Sequence, residues 1–163
     1  FEILKDPRIL ATQDDLEAQF ELLIKIRDKI SDIHNAVDRL RNIRIQVNEW
    51  EQRADGHQDQ KTLSEAALAL KASLSALENE LVKVKPLGGA MRGGPVRLNA
   101  KVAWLTQVVS SADWAPTSQS YAVFDDVSIC TEGYLQELQR IIDTDLKDFI
   151  RLVDDLRIPA IIL

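Results

Sequence analysis

The chain of 163 residues has the length of a single domain; it is 45% apolar and only 6% aromatic. Its net charge is −6, and Lys and Arg are interleaved with Asp and Glu. There is therefore no basic stripe for a phosphate backbone, and no nucleic-acid partner is expected. Cys130 is the single cysteine, which excludes an intrachain disulfide, and no apolar run reaches the roughly 18 residues of a membrane span.

Glycine and proline gather at a few breaks, and the long segments between them are rich in Ala, Leu, Ile, Val and charged residues, so the fold class is all-α. The expected organisation is an extended lead-in over residues 1–11, a helical bundle over 12–156 and an apolar tail over 157–163. The chain opens on Phe1 without a Met and closes on Ile158-Pro159-Ala160-Ile161-Ile162-Leu163. Both ends read as continuing into a longer polypeptide.

The lead-in contains a turn at Asp6-Pro7. Thr12 followed by Asp15 is a helix-start box, and a helical pattern without Gly or Pro then runs over 12–54. Its stripe is Leu16, Phe20, Leu23, Ile26, Ile30, Ile33, Val37 and Leu40, resumed at Val47 and Trp50, at the spacings of a coiled-coil seam. At ~1.5 Å per residue this rod is roughly 60 Å long. Asp55-Gly56-His57 breaks it. Thr62 and Glu65 form a second capping box, and a regular stripe follows: Leu63, Ala67, Leu70, Leu74, Leu77, Leu81 and Val84. This helix spans 62–85 and stops at Pro86.

Residues 86–95 (PLGGAMRGGP) form a Gly-rich connector without the Gly-Lys-Ser/Thr of a phosphate loop. A short helix over 97–112 turns Leu98, Val102, Leu105 and Val109 inward. Thr117 caps the fourth helix, 117–156, whose stripe is Tyr121, Phe124, Val127, Leu135, Leu138, Ile142, Phe149, Val153 and Leu156. Small and polar residues at 128–133 (SICTEG) interrupt that stripe, which predicts a bend or a close helix contact there.

Short connections make sequential helices antiparallel. The expected architecture is therefore an up-down-up-down four-helix bundle with long first and fourth helices and short second and third ones. The apolar stretches 16–27 and 141–156 then project past the short helices. Phe20, Leu22, Leu23, Ile24, Ile26, Ile141, Ile142, Phe149, Ile150 and Val153 form a candidate interface for another domain or a second copy. Alternatively, the apolar chain ends fold back and cover this surface.

No constellation of residues points to catalysis. His34 and His57 lack the Glu-x-x-His context of a di-iron bundle. His34 reads as a boundary residue beside the seam and His57 as an exposed turn residue. Asp143, Asp145 and Asp148, like the pairs Asp125-Asp126 and Asp154-Asp155, fan around a helix with Lys147 and Arg151 as neighbours, and a calcium loop would need a Gly-bearing turn. Cys130 reads as a packed small side chain. Trp50, Trp104 and Trp114 read as core or boundary residues, or else as a ring around one end of the bundle. No enzyme, cofactor or metal site is expected.

Several segments carry a family resemblance: KDPR at 5–8, DLEAQFELLIKIRDKISDIHNAVDRLR at 15–41, RLNAKVAWL at 97–105, SADWAPTSQSYAVFDD at 111–126 and the closing IPAIIL. Together they resemble the C-terminal helical region of large bacterial BNR-repeat, sortilin-like β-propeller proteins, often catalogued as glycosyl hydrolases. The resemblance implies a propeller upstream of Phe1, a periplasmic or secreted location and no catalytic residue in this part, since no Asp-box pattern occurs here. The expected function is a non-catalytic scaffold or interaction domain that docks on the propeller or mediates self-association. The alternative is a free-standing helical sensor or adaptor binding a small ligand or a partner protein, with a pocket at the SICTEG break.

Overall fold

A computed structural model describes residues 6–84 and 95–158. The chain is all-helical over these residues, with long first and fourth helical rods and short second and third ones, as the sequence predicts. The first rod is α1 (Gln13–Arg53), the second α2 (Gln60–Leu81) and the third α3 (Leu98–Val109). The fourth is α4 (Ser118–Ile141), a π-helical turn (Ile142–Leu146) and α5 (Lys147–Asp155) in unbroken succession.

Most boundaries follow local chemistry visible in the sequence. The Asp6-Pro7 turn is closed by the Asp6–Arg8 ion pair at 2.6 Å. Thr12 and Asp15 form the reciprocal capping box at the start of α1. Thr117 accepts from the Ser120 backbone N–H at the start of α4. The box expected at Thr62 and Glu65 is absent. The Gln60 side-chain amide donates to Asp55 at 2.9 Å and accepts from the Gly56 N–H at 3.3 Å. These bonds draw the helix start forward to Gln60, so Thr62 and Glu65 lie inside α2 on its exposed side. Gly56, at φ 76°, supplies the left-handed residue that this turn requires.

The rods differ from the expected course at one place: α3 does not turn back. Arg41 and Arg44 of α1 meet Glu78 of α2, and Lys71 meets Glu51 and Asn48, so α2 descends along the upper part of α1. α3 continues in the same direction. Arg97 at its start reaches back to Glu80 at 3.3 Å, and its far end lies beside Gln19, whose amide donates to Val109 O at 2.7 Å and Ala112 O at 2.6 Å. The fourth rod then climbs the full length beside α1. Lys29 pairs with Glu132 at 2.6 Å, and Ile43, Val47 and Trp50 face Leu146, Phe149 and Val153. Two long parallel rods thus flank a column made of α2 and α3 placed end to end. The antiparallel rule holds for connections of roughly 2–8 residues, and the connection over residues 82–97 exceeds that length. The glycine-rich part of it, 86–94, lies outside the described residues.

This course changes what is buried. Along α1, Leu22, Ile26, Ile33, Val37, Leu40 and Val47 are all less than 5% exposed, whereas Phe20, expected on the stripe, is 64% exposed. In α2 the predicted stripe Leu63, Ala67, Leu70, Leu74, Leu77 and Leu81 is buried throughout, and Val84, past the helix end, is not. Burying side chains such as Leu63, Leu74 and Leu81 contributes about 1.5–3 kcal/mol each. α3 buries the four predicted residues, Leu98, Val102, Leu105 and Val109.

One polar cluster fixes the register of α2 on α1. Glu78 is 1% exposed; its Oε1 accepts from Arg41 Nε and its Oε2 from Arg44, both at 2.7 Å. Arg44 also donates to Ser75 Oγ at 3.1 Å. Burial alone would raise the Glu78 carboxyl, but the two guanidinium hydrogen bonds outweigh it and hold the group below the usual glutamate range. Replacing Glu78 with Gln is expected to cost about 1–3 kcal/mol at neutral pH. Because the folded pKa is depressed, this contribution is complete above the unfolded value of about 4.3 and is lost as pH falls through the folded value. Urea denaturation of the wild type and Glu78→Gln should therefore show stabilities that differ at neutral pH and converge in acid.

Candidate functional site

The structure disperses the ten residues of the candidate interface. Leu22 and Ile26 are buried on the stretch of α1 that α3 covers, and Ile141, Phe149 and Val153 are buried on the fourth rod, which packs on α2. Leu23, Ile24 and Ile142 are half-buried. Phe20 is exposed at the lower end and Ile150 at the upper end. The stretches 16–27 and 141–156 lie at opposite ends of the molecule, so they form no common surface. The reason is the tandem middle column, which covers each long rod where the sequence reading left it bare.

What remains uncovered is a face at the lower end, between α3 and α4. Once Leu98, Val102, Leu105 and Val109 point inward, the helical period puts Trp104 and Val108, four residues apart, on the outer side of α3. The first two turns of α4, from Ser118 to Phe124, contain no charged residue. The Thr117 and Ser120 hydroxyls are 3.1 Å apart, and Ser120 is buried against the bundle. Between the two helices runs a groove of about 200 Å³ lined by Lys101, Trp104, Leu105, Val108, Ser120 and Val123, among others. Trp104 is 65% exposed, Trp114 in the α3–α4 turn 54%, Val108 46% and Val123 45%. Lys101 is the one charge on its walls. In a chain with 28% charged residues, this is a weakly charged, aromatic face. The sequence signal for it was the pair of tryptophans, but Trp50 stands at the other end of α1, with the Arg53 guanidinium 4.7 Å from its ring centroid, so the three form no ring.

A second apolar groove lies at the upper end. The π turn adds a residue to the fourth rod, and α5 beyond it packs on α2. A gap of about 160 Å³ is left against α1, walled by Ile43, Val47, Trp50, Leu146, Phe149, Ile150 and Val153, with Gln46 and Asp154 at the rim. Around the π turn, Arg140 is held by Glu137 at 2.8 Å and Asp145 at 3.3 Å, and the Thr144 hydroxyl donates to Arg140 O at 2.7 Å. The hydrogen bond from Arg140 holds the Glu137 carboxyl below its ordinary range, and the one from Lys147, 2.8 Å away, does the same for Asp143. The close helix contact expected at 128–133 does not involve Gly133. α4 is continuous through this stretch, and a Cβ on Gly133 would meet no atom within 4 Å.

Among the described residues, the titratable groups with shifted proton affinity lie in the Asp6–Arg8 pair of the lead-in turn or along the rods in ion pairs or under burial, and none lines either groove. Tyr134 is raised first by burial and then by the nearby Glu80. His34 is exposed, and His57 is partly covered, its Nδ1 accepting from the Asp59 N–H at 3.2 Å. Asp148 pairs with Arg151 at 2.9 Å, and Cys130 is exposed rather than packed. Among the described residues, no three His, Cys, Asp or Glu side chains are grouped closely enough to hold a metal ion, and no helix is long and apolar enough to cross a membrane. No protein-family model, curated protein or solved structure matches the chain.

Two substitutions test the reading of 128–133. Gly133→Ala fills open space on an exposed helix face and is expected to raise stability by about 0.5–1 kcal/mol. Ser128 Oγ is buried without a hydrogen-bond partner, so Ser128→Ala is also expected to stabilise, by up to ~1 kcal/mol. Thermal or urea unfolding measures both; a loss of stability in Gly133→Ala would mean that the small side chain serves a contact after all.

Proposed function

We propose that the chain is a non-catalytic docking module that binds another protein through the lower face of α3 and α4. The observation that carries this reading is the exposure of Trp104 beside Val108 and Val123 on a groove whose one charged lining residue, among the described residues, is Lys101. Exposed tryptophan at the centre of a weakly charged patch has the composition of an interface anchor.

The partner in this proposal is the β-propeller expected upstream, or a second copy of the module. The resemblance of residues 97–105 and 111–126, which frame this face, to the helical ends of BNR-repeat, sortilin-like proteins supports the first choice. An extracytoplasmic location goes with the same resemblance.

The test is light scattering together with titration against the parent propeller, using the wild type and Trp104→Glu. Removing a central tryptophan anchor typically costs about 2 kcal/mol or more, so Trp104→Glu should weaken propeller binding, or dimer formation, by more than ~10-fold while circular dichroism stays helical. A wild-type chain that is monomeric and does not bind the propeller would overturn the proposal, as would a Trp104→Glu variant that associates as well as the wild type.

A further inference from the structure

The upper groove is too small for a ligand pocket and well sized for a side chain. Its floor is formed by Val47, Phe149 and Val153, each less than 7% exposed, while Ile150 on its wall remains 49% exposed. Its volume of about 160 Å³ falls below the roughly 300–1,000 Å³ of small-molecule sites. It is close to that of the ~150 Å³ apolar cavities that accept a benzene-sized group, which is room for an isoleucine side chain. The groove and the exposed Ile150 thus stand side by side on one surface. A knob beside its own hole is the self-complementary arrangement that a two-fold axis closes, each copy filling the other.

The charges around Ile150 point the same way. Lys147, Ile150 and Asp154 follow one another at spacings of three and four, and all three are exposed. They therefore share one face of the helix. A two-fold axis at Ile150 sets two α5 helices antiparallel. Lys147, one turn before the axis, then lies opposite Asp154 of the second copy, one turn after it. Symmetry makes this pair twice. A parallel pairing would instead set Lys147 against Lys147 and Asp154 against Asp154. The Lys147 ammonium has three donors and gives one to Asp143 at 2.8 Å. Among the described residues the Asp154 carboxylate has no ion-pair partner. Arg151, the other cation near the axis, is paired with Asp148 of its own helix at 2.9 Å.

We propose that two copies of this chain pair through their upper ends, α5 antiparallel to α5. Each Ile150 enters the other copy's groove, and Lys147 faces Asp154 across the axis. The inference stands apart from the lower face and its partner. The contact spans about two turns of each α5, small for a specific interface, so the dimer is weak and depends on concentration.

Charge exchange tests it. In a Trp104→Glu background, which removes the lower-face anchor, dimerisation is followed by sedimentation equilibrium up to about 1 mM, the range of weak contacts. Lys147→Glu and Asp154→Lys each set like charges across the axis twice, and each alone should weaken the dimer by more than ~10-fold. Mixed in equal amounts, the two variants should pair with each other, because every contact across the axis then joins unlike charges again. A Trp104→Glu chain that stays monomeric would overturn the proposal; a groove filled by its own chain or by another protein gives that result. Single variants that dimerise undiminished would overturn it too, as would a mixture that associates no better than its components. A second readout leaves the charges and Trp104 in place. In a Cys130→Ser background, limited oxidation should join two copies of Ile150→Cys, since a disulfide needs Cα atoms within about 7 Å. Ile129→Cys, at a position 71% exposed on α4, should stay reduced under the same conditions. Equal cross-linking at the two positions would count against the pairing.

Discussion

The structure depends on a single requirement: the apolar stripe of the 41-residue α1 must be covered from Leu22 to Val47. A helix of that length is stable in water only if a neighbour takes its apolar side, because propensity and local ion pairs contribute only tenths of a kcal/mol per residue. No single later segment before the fourth rod is long enough. The chain meets the requirement by laying α2 and α3 end to end in the same direction, which leaves the fourth rod free to run parallel to α1 over its whole height. The Glu78 clamp sets where the first of these short helices sits. The amide of Gln19, bonded to two carbonyls at the end of α3, sets where the second one stops.

The parts of this design that rest on neighbouring residues were legible in the sequence. The Leu63–Leu81 stripe, the Thr12–Asp15 box, the Thr117 cap and the inward residues of α3 follow from spacing and capping chemistry, and each is where those rules place it. The direction of α3 was not legible. It is decided by the packing of α3 on the lower part of α1, which the Gln19 bond to Val109, ninety positions away, marks, and by a connection too long for the hairpin rule. The π turn was also hidden, since Ile142-Asp143-Thr144-Asp145-Leu146 contains neither Gly nor Pro. The break was expected at the small residues of 128–133 instead, where an exposed Gly133 is simply tolerated.

The apolar surfaces were misplaced for the same reason. With α3 assigned to the upper half, the greasiest parts of the long helices appeared bare and adjacent. In the structure they lie at opposite ends and are largely covered, Phe20 and Ile150 excepted, and an exposed apolar area falls instead on the outer side of α3 and the start of α4. Trp104 marks the difference. Spacing picks out the four residues that its helix buries, whereas the residue on its outer side marks the apolar surface that stays exposed.

An up-down-up course has a mechanical consequence. The backbone enters at one extremity and leaves at the other, so whatever is joined before Gln13 and after Asp155 is held apart by about 60 Å of rod. Tension between such neighbours would act along the three columns and slide them past one another, loading the Lys29–Glu132 and Arg44–Glu78 bridges in shear rather than peeling them one by one.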